Sequence, residues 1–301
     1  MAQSAASSAA MDTAQKSAVE PSTSELHYTS LNAGASKGTI LFIHGAGGDG
    51  KEWDMVSVHL QDYHILLPDL PSHGKSSHIR PLTLSSCAKL LADLIRNQAK
   101  DGKAHVIGLS LGAFIGIALA VQHPDVVDTM LISGLKIFPT SDRMLPVIPW
   151  VTWASGKVED LVPRSIVRWA MDGIDIPAAG QSDFQRRREI SVILSGRGDY
   201  NGESSSKGLD NEHIMWPEPW PARTLLVAAG KSGIVPSADH LGFTKKIADI
   251  AARKNSMTRA VTHKLMRHPW NRQDGPLFAK LVRAWIEKEE VVEGFEPIIE
   301  T

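Results

Sequence analysis

The residues whose types and spacing best fit catalysis lie in the run Gly108-Leu109-Ser110-Leu111-Gly112. A serine hydroxyl is a weak nucleophile at neutral pH, so it needs a neighbouring base and an exposed position facing a carbonyl group. A Gly-x-Ser-x-Gly turn between a strand and a helix supplies the exposed position, because its small residues let strand and helix pass closely. The run therefore predicts that Ser110 is a covalent nucleophile on a sharp strand-to-helix turn.

Attack on an acyl carbonyl places negative charge on its oxygen, which backbone N–H groups stabilise when they point at that oxygen. The N–H of Leu111, directly after the serine, is one predicted donor. The second is expected from the loop that contains Gly45, Ala46 and Gly47, in which Ala46 is favoured and the two glycines line the substrate pocket. A glycine-rich turn that only binds an anion is the alternative, and its pairing with Ser110 favours the catalytic interpretation.

Runs of strand type alternate with runs in which apolar residues recur at helical spacing, and these elements must position the serine and the loop. One strand-type run, 39–43, ends at the loop, and another, 104–109, ends at Ser110. The alternation predicts an α/β fold with a mostly parallel central sheet and helices on both faces. The other strand-type runs are 64–67, 127–133, 224–229 and 257–261, and the clearest helical stripes are 84–95 and 277–286.

The alternation stops at residues 136–217, where prolines, arginines and short helical pieces such as 165–171 replace it. We expect this segment to be an inserted helical lid of about 80 residues. The core would then consist of residues 25–135 and 218–301, with the lid placed after its sixth strand.

The first 24 residues are rich in Ala and Ser. They lack the apolar segment of a secretory signal and the arginines of a transit peptide. We expect residues 1–24 to be a disordered tail and the cytosol to be the compartment.

Composition narrows the classes of partner. The chain has 301 residues, a formal net charge of -1, one cysteine and 43% apolar residues. This charge gives no electrostatic footprint for nucleic acid or an anionic membrane, and no apolar run is long enough to span a bilayer. A single cysteine excludes an internal disulfide and a cysteine-rich metal site. We expect a small-molecule substrate, and the oligomeric state stays open.

The serine turn, the His-Gly loop and their order resemble the α/β-hydrolase superfamily, in its branch of lidded esterases, epoxide hydrolases and hydroxynitrile lyases. The similar segments lie within residues 39–135 and 223–288 and include LFIHGAGGDGKEWDMV, HILLPDLPSHGKS, HVIGLSLGAFIGIALAVQHP and RHPWNRQDGPLFAKLVRAWI. The resemblance implies the α/β-hydrolase fold and no metal or organic cofactor. An epoxide hydrolase is disfavoured, because its nucleophile would be Asp and position 110 is Ser.

The resemblance also implies a histidine base shortly after the last core strand. His268 fits this place, since the family's histidine precedes a Pro-x-Phe helix start and Pro276 and Phe278 follow here. His263 is nearer the strand end and ranks second. The histidine of the His-Gly loop, His44, is expected to brace that loop.

The expected triad acid is missing from its usual place. The resemblance implies an aspartate within the run 230–236, but Ser232 or Gly233 stands there, depending on the direction of counting. Asp239, at the start of the next helix, is the nearest carboxylate. A triad acid orients the histidine and stabilises its imidazolium. Three outcomes stay open: Asp239 reaches the histidine, a Ser-His dyad works slowly, or hydrolysis is not the reaction.

Tryptophans are concentrated in the lid segment, where Trp150, Trp153 and Trp169 are candidates for the roof of a substrate pocket. An aromatic roof suits an apolar or aromatic acyl substrate. The alternative is that these side chains form the lid's own small core. The neighbouring run 186–188 is three arginines and is expected to be a solvated helix face.

The sequence thus favours a serine hydrolase that cleaves a carboxylic ester or related acyl bond of a small apolar or aromatic substrate. In this hypothesis Ser110 attacks, His268 transfers the proton, and the Ala46 and Leu111 N–H groups hold the oxyanion. Two alternatives use the same scaffold. One is a non-hydrolytic lyase or cyclase, and the other is a weakly catalytic binding protein.

Overall fold

A computed structural model of the chain describes residues 25–138, 143–151, 163–174, 184–202, 214–232 and 237–299. Its centre is an eight-stranded sheet with the order β1-β3-β2-β4-β5-β6-β7-β8. The six inner strands are parallel, and the two edge strands β1 and β8 are antiparallel to their neighbours. The strands are β1 Tyr28–Leu31, β2 Lys37–Ile43, β3 Tyr63–Pro68, β4 Ala104–Leu109, β5 Val127–Ser133, β6 Arg223–Ala229, β7 Arg259–His263 and β8 Glu296–Pro297. The mostly parallel sheet predicted from the sequence is confirmed.

Helices follow most of the inner strands, as parallel connections require. The α-helices are α1 Asp54–Ser57, α2 Leu84–Gln98, α3 Leu111–Gln122, α4 Arg164–Ala170, α5 Phe184–Val192, α6 Leu241–Ala252, α7 Trp270–Gln273 and α8 Gly275–Ile286. Shorter 3₁₀ turns occur at Gly50–Trp53, Gly74–Ser76, Lys100–Gly102 and Pro124–Val126, and a π-helical turn occurs at Ile193–Arg197.

Both faces of the sheet are buried, which explains why the inner strands read as nearly continuous apolar runs. Every residue of β3, β4 and β6 is buried. Along β2 the side chains alternate between two cores: Leu41 and Ile43 face the core shared with α2 and α3, whereas Ile40 and Phe42 face the core shared with α8. Helices therefore cover both faces of the sheet, and the candidate active site described below lies at the carboxyl ends of its strands.

Three details of the predicted organisation are corrected. The last core strand is Arg259–His263, two residues later than 257–261, because the N–H of Thr258 donates to the carbonyl of Asn255 in a turn. The edge strands β1 and β8 were not predicted, since they are short and partly exposed. Among the described residues, five strands precede the insertion, so it follows the fifth of these strands and not a sixth.

The described part of the 136–217 segment lies against loops of the core. Arg186 of α5 donates to the carbonyl of Ser72 at 3.1 Å, and the Ser72 hydroxyl donates to Glu189 at 3.4 Å. Asp172, just after α4, accepts from Arg267 at 2.6 Å. The described part of the segment is thus tied to the core at several places, which also include the contact of Asp199 with the start of α2, and its assignment as a lid stays a prediction. Among the residues that the structure describes, none of the helices is both long and apolar enough to cross a membrane.

Candidate active site

Ser110 lies at the junction between β4 and α3 with φ 55° and ψ -118°. A positive φ is costly for a residue that carries a side chain, and such strain concentrates at functional positions. The turn is as tight as the motif predicts: a Cβ on Gly108 would overlap the carbonyl of Gly112, and a Cβ on Gly112 would overlap that of Ile43. The N–H of Ser110 donates to the carbonyl of Ser133 at 2.9 Å, which fixes the turn to the neighbouring strand.

His268 and Asp239 are joined by a hydrogen bond of 2.6 Å between Nδ1 and Oδ1. The Asp239 side chain is fully buried, and its other oxygen accepts from the N–H of Ala229 at 2.7 Å. If Nδ1 carries the proton that it donates to the carboxylate, Nε2 is the nitrogen left to accept a proton. The pair therefore has the arrangement of an acid that orients a general base.

Ser110 and His268 lie on either side of Gly134. A Cβ placed on Gly134 would lie 2.9 Å from Cε1 of His268 and 3.0 Å from the backbone nitrogen of Ser110. The other candidate base, His263, packs its ring against Phe295 with centroids 4.9 Å apart. The structure thus brings His268, but not His263, into the neighbourhood of the serine.

Asp239 reaches the histidine because the chain folds back onto the end of β6. The N–H of Asp239 donates to the carbonyl of Ala229 at 2.8 Å, while its carboxylate accepts from the N–H of the same residue. A backbone hydrogen bond also holds the histidine: the N–H of His268 donates to the carbonyl of Ser237 at 2.9 Å. Ser232, which stands at the expected acid position, is exposed.

Two buried histidines hold the loop that follows β2. His44 donates from Nδ1 to the carbonyl of Gly45 at 2.8 Å, and its Nε2 accepts from the N–H of Leu70 at 3.0 Å. This pattern needs a neutral ring, and burial lowers the pKa of His44 to about 3. Nε2 of His73 lies 2.9 Å from the carbonyl oxygen of Ala46. Successive carbonyl groups of the loop are therefore fixed by ring nitrogens.

Fixing a carbonyl also fixes the N–H of the same peptide unit, because the two groups of a trans peptide point in opposite directions. The ring of His44 therefore sets the direction of the Ala46 N–H. Within the described part of the chain, the N–H groups of Ala46 and Leu111 donate to no protein acceptor. No described protein group thus competes for the two predicted oxyanion donors.

The structure adds a residue that the sequence argument missed. Glu52, in the 3₁₀ turn Gly50–Trp53, accepts from the N–H of Gly45 at 2.8 Å. Burial raises the pKa of its carboxyl group. In the sequence, Glu52 is marked only by its place directly before the apolar Trp53. Because it also follows a glycine-rich run, the pattern is typical of a solvated turn and does not indicate a buried carboxyl group.

The lid tryptophans are not buried where the structure describes them. Trp150 is 61% exposed and Trp169 is 70% exposed, and Trp153 lies outside the described residues. The ring of Trp150 packs against Phe184 with centroids 4.9 Å apart. A cavity of about 380 Å³ in the same segment is lined by Leu145, Pro146, Phe184, Arg188 and Val192. No cluster of His, Cys, Asp and Glu suited to a metal ion occurs in the described ranges.

Comparison with known proteins supports a single family. A family model for the alpha/beta hydrolase fold matches residues 38–160. An AB hydrolase superfamily protein of Gibberella zeae is 34% identical over 275 residues, which cover 91% of this chain and 88% of that protein. An esterase of Mycobacterium tuberculosis is 34% identical over 106 residues, about a third of each chain.

Solved structures show the same fold at low sequence identity. The enol-lactonase from Burkholderia xenovorans LB400 superposes with a TM-score of 0.63 at 16% identity, covering 87% of this chain and 96% of its own. A thermophilic esterase from Thermogutta terrifontis superposes with a TM-score of 0.60 at 18% identity, covering 87% and 93%. At these identities the likeness extends to the fold alone.

Proposed function

The chain belongs to the α/β-hydrolase superfamily, and from that membership we propose that it is a serine hydrolase of carboxylic esters or related acyl bonds. Relatives named as esterases and hydrolases support hydrolase activity. The observation that carries the finer proposal is the hydrogen bond between Asp239 and His268 beside the strained Ser110. A buried carboxylate on a histidine near such a serine fits nucleophilic acyl transfer.

The proposed reaction has two halves. The Ser110 oxygen attacks the carbonyl carbon while Nε2 of His268 takes its proton, and the N–H groups of Ala46 and Leu111 stabilise the oxyanion. Collapse of the tetrahedral intermediate breaks the bond to the leaving alcohol, which receives the proton from His268. Water then attacks the acyl-serine with His268 again as the base, releasing the acid and restoring Ser110.

The proposed substrate class is drawn from the described part of the 136–217 segment. The cavity in the 136–217 segment is lined mainly by apolar side chains, and Trp150 and Trp169 expose aromatic surface in the same segment. Such surroundings favour a small apolar or aromatic acyl group. A carboxylic ester with a short or aromatic acyl chain is the proposed substrate.

Covalent labelling tests the proposal. A fluorophosphonate should label the wild type, and Ser110→Ala should abolish labelling and hydrolysis of p-nitrophenyl esters. Ser77→Ala, at an exposed serine, is the matched control and should label fully. Labelling that survives in Ser110→Ala, or a wild type that neither labels nor hydrolyses any ester of the series, contradicts the proposal.

The lyase alternative rested on the missing acid. With Asp239 bound to His268, that argument no longer distinguishes a lyase from a hydrolase. The hydrolase is therefore the function that we put forward.

A further inference from the structure

A second carboxyl group lies beside the nucleophile. A Cβ placed on Gly45 would lie 3.5 Å from Cβ of Ser110 and 3.6 Å from Oε1 of Glu52. Oε2 of Glu52 accepts from the N–H of Gly45 at 2.8 Å. Gly45 directly precedes Ala46, the proposed oxyanion donor, so Glu52 holds the backbone one residue before that donor.

The turn that carries Glu52 is itself well anchored. The N–H of Gly50 donates to Oδ1 of Asp69 at 3.0 Å, and the side chain of Trp53 is completely buried. The carbonyl of Glu52 accepts from Asn271 and Arg272, each at 3.4 Å. The carboxyl group is therefore presented from a rigid element, and it can serve as a fixed point for the loop.

Burial and the polar neighbours of the carboxyl group act on its charge in opposite directions. Burial raises the pKa of Glu52 and is the largest influence. The N–H of Gly45, the side chain of Asn271 and the charged groups of His268 and Arg272 all favour the ionised form. The net effect is a raised pKa of Glu52.

We propose that Glu52 is a positioning residue for the reaction, whose carboxyl group fixes the oxyanion loop through the N–H of Gly45. This inference rests on the proposed function. Glu52 holds the N–H of Gly45 and His44 holds its carbonyl group, so the two side chains together fix the residue that precedes the Ala46 donor. Loss of the Glu52 side chain leaves the N–H of Gly45 without this acceptor and loosens the loop on one side.

The first measurement is kcat and KM on one short aryl ester. Glu52→Gln keeps an acceptor for the Gly45 N–H, so its kcat should stay within about threefold of the wild type. Glu52→Ala should lower kcat about a hundredfold with little change in KM.

Asp54→Asn is the matched control, because Asp54 is an exposed carboxylate two residues away that pairs with Arg272 at 3.1 Å. It should keep the wild-type kcat and KM. A wild-type kcat in Glu52→Ala, or an equal loss of kcat in Glu52→Gln and Glu52→Ala, overturns the inference.

The second measurement does not depend on turnover. A raised pKa in the folded state means that the wild type loses stability as pH rises from the unfolded value of about 4.3 through the folded value. Glu52→Gln lacks this loss, so the free energy of unfolding of the wild type should decrease relative to it as pH rises. A pH-independent difference contradicts a raised pKa of Glu52 and with it the burial of this carboxyl group against the loop. Failure of the proposed function shows instead as unlabelled Ser110, which leaves this second measurement decisive for Glu52.

Discussion

At the scale of single residues, the hydrogen bond between Asp239 and His268 supports their proposed roles as acid and base. Asp239→Asn should lower kcat on a short aryl ester by a factor of about one hundred to about ten thousand, because the amide favours the wrong histidine tautomer. Ser232→Asp should change kcat little, since Asp239 already occupies the acid's place beside the histidine. The opposite result, with Ser232→Asp faster and Asp239→Asn unchanged, would reject Asp239 as the acid.

His263, the last residue of β7, and His268, five residues later, make a matched pair for a second test. His268→Ala should reduce kcat about a thousandfold or more, because it removes the proposed base. His263→Ala should leave kcat near the wild-type value and lower only the melting temperature, since this ring packs against Phe295. Equal losses of kcat at constant stability would contradict the assignment of His268.

At the scale of elements, Gly134 keeps the end of β5 narrow enough for the serine and the histidine to meet. Its φ is 78°, and an added Cβ would press on both His268 and the Ser110 backbone. Gly134→Ala should therefore abolish most of the ester hydrolysis. Gly173→Ala is the control, because its φ is 86° but nothing lies within 4 Å of its added Cβ.

Gly173→Ala should lower the free energy of unfolding by about 1–2 kcal/mol, because of backbone strain alone, and should keep the wild-type activity. Urea unfolding beside initial rates separates the two effects. If Gly134→Ala retained wild-type rates, the close approach around Gly134 would not matter for the reaction.

A cluster of ion pairs joins the inserted segment 136–217 to the loop that carries His268, here called the histidine loop. Asp172 accepts from Arg267 at 2.6 Å and from Lys231 at 2.5 Å, and these cations lower the pKa of Asp172 to about 2. The pairing is therefore complete at neutral pH and is lost only as pH falls through that value. Arg267 also donates to Ser237 at 2.9 Å, so the histidine loop keeps a second anchor.

Asp172→Asn should consequently raise KM severalfold while kcat changes less, because the insertion loosens but the histidine stays in place. Asp249→Asn removes a surface ion pair in α6 and serves as the control, with both parameters unchanged. Steady-state rates over a series of acyl chain lengths would detect the change. A fall in kcat at constant KM would show that Asp172 acts on the histidine and not on substrate binding.

The sequence predicts a strand or a site residue when the pattern that indicates it lies in adjacent residues. The serine turn and the Leu111 donor follow from five adjacent residues, and strands buried on both faces are visible as apolar runs. Asp239 could only be a candidate, because its approach to His268 depends on a fold-back onto Ala229 that spacing does not encode. Glu52 was missed for a similar reason: its hydrogen-bond partner is the backbone N–H of Gly45, which no residue type indicates.

At the scale of the whole molecule, the N-terminal segment 1–24 lies outside the described residues, and the argument for it is compositional. It has no periodic apolar pattern that could dock on the core. Removal of these residues should leave the melting temperature and kcat unchanged. A truncated protein that melted earlier or turned over more slowly would show that the tail contacts the domain.

The fold-back at Ala229 has a consequence for how such proteins can diverge. Asp239 is held at the end of β6 by two hydrogen bonds to the backbone of Ala229. We expect, therefore, that the number of residues between Ser232 and Ser237 can vary without moving this carboxylate. A relative that lacks a carboxylate at the Ser232 position is then expected to carry one farther along the chain, where its distance from the strand end identifies it.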